Sequence, residues 1–217
     1  MKAFIKFNCF VALLFSLLFL QSSCKNSNKE APSAAAKDTT LKVSRGNEYQ
    51  NIDQSPMDIS YCPAEYPQNK MKGIATSGPV ARVIYSRPHK KGRTIFSNDT
   101  KSLCQYGKPW RLGANESTEI EFFEPVMIGG KNMQPGRYVM YCIPYPDKWQ
   151  IIFNSNLNSW GLHMDSSKDV FQTEIPVQQQ SPAIEDFTML FQETAEGADL
   201  LMTWDNVKAL LPVTFSK

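Results

Sequence analysis

Histidine is nearly absent from this chain: His89 and His163 are the two imidazoles in 217 residues. No His-Glu-x-x-His or Cys-x-x-Cys spacing is present, so the common zinc-hydrolase and zinc-ribbon ligand sets are excluded. The Gly-x-Ser-x-Gly elbow of a nucleophilic hydrolase is missing too. No stretch within 46–217 keeps a 3.6-residue apolar period over three turns, which argues against a helical bundle. An excess of either charge is also lacking beyond the N-terminal segment. Residues 1–23 hold two of the 23 basic residues and none of the 21 acidic ones, leaving 21 against 21. A neutral chain has no basic field for phosphate backbones, and nucleic acid is not expected as a partner.

What is present begins with an address. Lys2 and Lys6 precede an apolar run from Phe10 to Leu20, broken only by Ser16. About ten residues are too few to cross a bilayer core of about 30 Å as a helix. The pattern is that of an export signal. Ser22 and Ser23 lead into Cys24, which predicts a lipoprotein signal over 1–23 and acylation, palmitate included, on Cys24. Gln21 departs from the usual lipobox, where an aliphatic residue is commoner, and an ordinary signal with an unmodified Cys24 thiol is the competing reading. Three acyl chains, at about 0.8 kcal/mol per buried methylene, would anchor the protein to a membrane. The expected location is the cell envelope, on the outer membrane. Residues 24–45 are rich in Lys, Asn, Ser, Ala and Thr, and read as a flexible tether.

Residues 46–217 are expected to form one all-β domain, a β-sandwich or jelly-roll-like fold. Val80–Tyr85 is β-branched and aromatic. Thr118–Phe123 alternates acidic residues with Ile120 and Phe122. Val126–Ile128 meets Gly129-Gly130, a hairpin turn pair. Gln134-Pro135-Gly136-Arg137 reads as a type II turn launching Tyr138–Ile143. Trp149–Phe153, Val170–Val177, Phe187–Gln192, Leu200–Trp204 and Val207–Phe215 complete the strands. A short helix is expected near Lys101–Tyr106. Of the cysteines beyond Cys24, Cys62 and Cys104 lie in loop-like segments and are the favoured disulfide, with Cys142 packed in the core; three buried thiols or a metal site are the other outcomes.

Two segments are richer in chemistry than scaffold requires. The first, Tyr85–Phe96, packs Arg87, His89, Lys90, Lys91 and Arg93 around a turn. The second, Trp110–Glu116, offers a guanidinium fork on Arg111, a stacking ring on Trp110, and polar Asn115 and Glu116. Both keep one order with Ile128-Gly129-Gly130-Lys131, Pro135-Gly136-x-Tyr138, Trp149-x-Ile151-Ile152-Phe153-Asn154 and Trp160-Gly161. In that order they resemble the domain-of-unknown-function 2911 family across roughly residues 55–215. The resemblance implies a β-rich bacterial domain, secreted or lipid-anchored, with no assigned activity.

The expected function is non-enzymatic: binding of a small anionic or sugar-like ligand, or of an envelope protein. Arg87, Lys91, Arg93, Trp110, Arg111, Asn115 and Glu116 form the candidate site. The alternatives are a glycan hydrolase using Glu116 as acid or base, and a purely structural or assembly role. The structural reading predicts that Arg87, Arg93 and Arg111 are consumed by internal carboxylates and carbonyls. No catalytic residue, cofactor or metal is assigned. Cys142, Met140, His163 and Met164 have the chemistry of soft-metal ligands, but Met140 and Cys142 share a strand face where core packing accounts for both.

Overall fold

The computed structural model describes residues 55–157 and 159–215; the expected signal, Cys24 and the expected tether lie outside them. Strands β1 (Met57–Cys62), β2 (Ala81–Ser86), β5 (Thr118–Phe122), β6 (Val126–Ile128), β7 (Lys131–Met133), β8 (Gly136–Pro144), β9 (Lys148–Asn154), β10 (Asp169–Glu193) and β11 (Gly197–Phe215) form one nine-stranded sheet. Its order is β1-β2-β5-β8-β9-β10-β11-β6-β7, and every pairing is antiparallel. Two short strands, β3 (Phe96–Ser97) and β4 (Cys104–Gln105), pair in parallel apart from it. The fold is all-β and sandwich-like.

The fold turns on β10. Its first residues pair with β9 as far as Pro176↔Lys148, and from Val177↔Ala209 it pairs with β11. Pro176 brings no N–H to a ladder, which suits the residue where one pairing ends. The 25-residue strand thus belongs to two layers: β1-β2-β5-β8-β9 on one side, β11-β6-β7 on the other. Period-2 patterning aims both inner faces at a shared core. Thr118, Ile120 and Phe122 are buried while Glu119 and Glu121 face outward, where Arg137 and Arg82 pair with them. Trp149, Trp204, Phe187, Tyr85 and Phe122 are the large side chains sealed between the layers, and edge-on Tyr85 and Phe187, 5.7 Å apart, join one layer to the other.

Where β9 leaves β10, the vacated edge is closed by side chains. Arg87 Nε donates to the Phe187 carbonyl (3.3 Å), the Tyr85 hydroxyl binds Met189, and Ser60 Oγ accepts from the Phe191 N–H (3.3 Å). Alternate residues of one edge are thereby satisfied without a strand.

Several elements differ from the sequence reading. The 101–106 segment is not a helix: the Cys104 and Tyr106 N–H groups bond to the Ile95 and Ser97 carbonyls, so tertiary pairing with Phe96 wins over local preference. A helix does form at Tyr66–Met71 (α1), with proline in its first turn, and β1 precedes it. Pro135 makes a bend rather than a type II turn, because Gly136, at φ 145°, already lies in β8. Gly129 and Gly130 do form the expected hairpin, with φ values of 55° and 81°. The four strands expected after residue 169 are two, since the interruptions at 180–183 and Asp205 are absorbed as register irregularities.

Candidate functional site

The loop after β2 is basic, and most of its charge is spent. His89 Nδ1 pairs with Asp186, and Lys90 Nζ with Asp205. The Lys90 N–H donates to the Glu185 carbonyl at 2.7 Å, and the Lys91 N–H to the Glu185 carboxylate at 2.7 Å. Pro88 accepts from the Phe187 N–H at 3.0 Å. The whole turn therefore docks on the acidic Glu185-Asp186 step of β10 and on Asp205 of β11. Arg87 is consumed as well: besides the Phe187 carbonyl, it reaches Asp58 Oδ2 (3.2 Å) and Thr188 Oγ1 (3.1 Å). Arg93 differs, because its Nε and Nη2 donate only to the carbonyls of Lys90 and His89.

The second segment is held by backbone geometry. Trp110 exchanges both main-chain bonds with Cys142 of β8, at 2.7 and 2.8 Å. Its ring is 8 % exposed and packs with Trp204 (centroids 5.9 Å, 23° between planes) and Phe187 (5.0 Å), while Nε1 donates to the Gly113 carbonyl. A Cβ at Gly113 would stand 2.9 Å from the Ser86 carbonyl oxygen, so no other residue brings this turn so close to the end of β2. Arg111 donates through Nη1 to the carbonyls of Asn115 and Trp160, the latter at 3.2 Å. Partial burial pulls its guanidinium below the ordinary arginine range. Asn115, at φ 59°, donates to the Ser55 carbonyl, and Glu116 is exposed.

The two segments converge on a cleft of about 210 Å³. Arg93, Arg111, Trp110 and Gly113 line it, as the loops' sequences suggested. Leu103, Cys104 and Trp204 line it too, and sequence reasoning did not place them there. Trp204 carries only the signature of a core strand residue, and its neighbourhood to Trp110 exists only after folding. Arg87, Lys91, Asn115 and Glu116 are not on the lining. Among the described residues, no carboxylate and no histidine lines the cleft, and neither Arg93 nor Arg111 has a carboxylate partner. A larger hollow of about 410 Å³ opens at the β10–β11 hairpin beside Cys62, Glu193 and Glu196, but the described residues that line it include no basic group to orient a ligand.

With the cleft's geometry in view, the sequence model described as Protein of unknown function (DUF2911) matches residues 67–213. The chain belongs to this family. The matched DUF2911 span runs from α1 into β11, so both cleft loops fall inside it while β1 lies before it. Comparison with curated proteins and with solved structures gives no match.

The other candidates sort by burial. Cys62, Cys104 and Cys142 are free and buried, so the expected Cys62–Cys104 bridge is not formed. Cys62 ends β1 near Glu193, whereas Cys104 is close enough to Cys142 for the two to act on each other electrostatically. Burial first, then Glu193, pushes the Cys62 thiol up to about 12, and burial raises Cys104 and Cys142 as well. His163 is exposed on a loop, remote in burial from fully enclosed Met140 and Cys142. Of the four tryptophans, Trp160 alone is exposed (58 %), which rules out a platform built from all four rings. Among the described residues, no helix is long and apolar enough to cross a membrane.

Proposed function

We propose that this chain is an exported, lipid-anchored binding protein whose β-sandwich holds a small anion in the cleft between the Pro88–Arg93 and Trp110–Ala114 loops. The observation that carries this reading is the company the two arginines keep. Arg93 and Arg111 line one cleft, donate to neutral carbonyls, and meet no carboxylate among the described residues of its wall. Two positive charges with no counter-charge among the described residues, beside buried indoles that lower the local dielectric, favour a bound anion. Depression of the Arg111 pKa by desolvation agrees, since an anion would relieve it.

Catalysis fits poorly. Glycoside hydrolysis needs two carboxylates across the scissile bond, and the described residues of the cleft wall include none. His89, the nearer imidazole in sequence, is engaged by Asp186.

A scaffolding role is the second reading, favoured by Arg87, His89 and Lys90, all three of which are tied to internal partners. A thermal-shift series on the full chain against chloride, acetate, phosphate and sulfate separates the two. Saturating a real site raises the melting temperature by mass action. A parent chain that responds to no anion would leave the scaffold reading standing.

The anchor rests on Lys2, Lys6, Phe10–Leu20 and Ser22-Ser23-Cys24. Mass spectrometry of the N-terminal peptide from membrane fractions should show acylated Cys24, and Cys24→Ala should shift the protein into the soluble fraction. An unmodified Cys24 at the mature terminus would end the lipoprotein proposal.

A further inference from the structure

We infer that the cleft takes a compact carboxylate with an apolar, ring-sized body, in preference to a sugar or a phosphate; this rests on the anion reading above. Three observations carry it. The first is the open edge of Arg111. Both of its bonds leave from Nη1, so Nε and Nη2 keep the side-on fork. That edge presents two parallel N–H groups, the match for two oxygens on one carbon.

The second is the rest of the wall. Pro88, Leu103, Trp110, Ala114 and Trp204 are apolar, Cys104 presents a protonated thiol, and Ser55 contributes the one hydroxyl among the described lining residues. A sugar held here would bury several hydroxyls against a wall with few side-chain groups to pair them, and each one left unpaired weakens binding. A phosphate has oxygens beyond the two that the Arg111 fork serves; the matching edge of Arg93 is already spent on the Lys90 and His89 carbonyls, and indole, leucine and proline cannot bond the rest. An aromatic or branched aliphatic body loses no hydrogen bonds and packs on half-exposed Leu103, on Ala114 and on the rim of Trp110.

The third is size. Pockets for drug-sized ligands run to about 300–1,000 Å³, and this cleft holds about 210 Å³. One ring with its carboxylate is the scale that fits.

The test is calorimetric titration of the full chain in mild detergent with four probes: benzoate, its neutral isostere benzamide, glucuronate and inorganic phosphate. Benzoate should bind at least about tenfold more tightly than the other three, a difference of about 1.4 kcal/mol. Arg111→Lys keeps the charge but removes the fork, and should weaken benzoate by about tenfold. Leu103 is 45 % exposed, so Leu103→Asp should fold normally while placing a repelling charge on the wall. It should weaken benzoate far more than Leu103→Asn does, which keeps the inference testable if the Arg111 variant misfolds. Equal binding of phosphate or glucuronate would overturn the apolar-carboxylate inference and leave the anion reading intact. Equal binding of benzamide would overturn both. No binding of any probe at millimolar concentration would also overturn both, and equal effects of Leu103→Asp and Leu103→Asn would show that the ligand sits elsewhere.

Discussion

The Tyr85 hydroxyl engages both backbone polar groups of Met189: it accepts from the N–H at 2.9 Å and lies 3.2 Å from the carbonyl it can donate to. These residues are 104 apart in sequence and sit on opposite layers of the sandwich. The contact falls at the middle of the β10 edge that β9 has left. It does there what a neighbouring strand would otherwise do, while the ring fills the core against Phe187.

Tyr85→Phe should therefore cost about 1–3 kcal/mol, because it strands a buried N–H. Urea unfolding followed by tryptophan fluorescence would measure it. A loss below a few tenths of a kcal/mol would mean that the edge finds another partner.

The same residue gives the protein an alkaline limit. Burial, the largest influence, raises the Tyr85 phenol from 10.0 to about 12. The folded state keeps this proton when the unfolded chain has lost it. Its contribution is fully present below pH 10 and is lost as pH rises through about 12. Stability of the parent should fall across that window, and Tyr85→Phe should show a shallower fall.

Gly161 packs directly on Arg111. It has φ 81°, and a Cβ there would lie 2.8 Å from Ser117 Oγ and 2.9 Å from Arg111 Cβ. Gly161→Ala should destabilise by about 1–3 kcal/mol through backbone strain and displacement of Arg111. Anion-dependent thermal stabilisation should weaken in the same variant, whereas Gly130→Ala, whose Cβ meets nothing within 4 Å, should leave it unchanged.

The Pro88–Arg93 loop is pinned by Lys90 and Asp205, a half-buried pair with side-chain exposures of 25 % and 18 %. Asp205 sits at φ 55°, which Asn tolerates. Asp205→Asn isolates the loss of charge and should cost about 1 kcal/mol, more than a typical exposed pair. Faster amide exchange confined to residues 89–93 would show that the loop has come loose.

The three thiols of the domain should be inert while it is folded. All are buried and all have raised pKa values, leaving little thiolate at pH 8. Iodoacetamide followed by peptide mapping should leave Cys62, Cys104 and Cys142 unlabelled in the native chain and label all three in denaturant. Labelling of native Cys104 would mean that the cleft opens further than its 3 % exposure allows.

Whatever depends on neighbours within a few residues was legible in the sequence. The alternation of Thr118–Phe122, the glycine pair at 129–130 and the β-branched run before Ser86 each carry their own period or turn chemistry, and all appear in the fold. The two loops that hold Arg93, Trp110 and Arg111 stood out as well, because they concentrate basic and aromatic residues beside good strands. Tertiary structure alone decided what those side chains do. The carboxylates that neutralise His89 and Lys90 stand 97 and 115 residues away. Trp110 reads locally as a ring for stacking on a ligand, yet Trp204 and Phe187 enclose it. Backbone preference and patterning act over a few residues, whereas charge neutralisation and burial are settled by whichever distant groups the fold brings within reach.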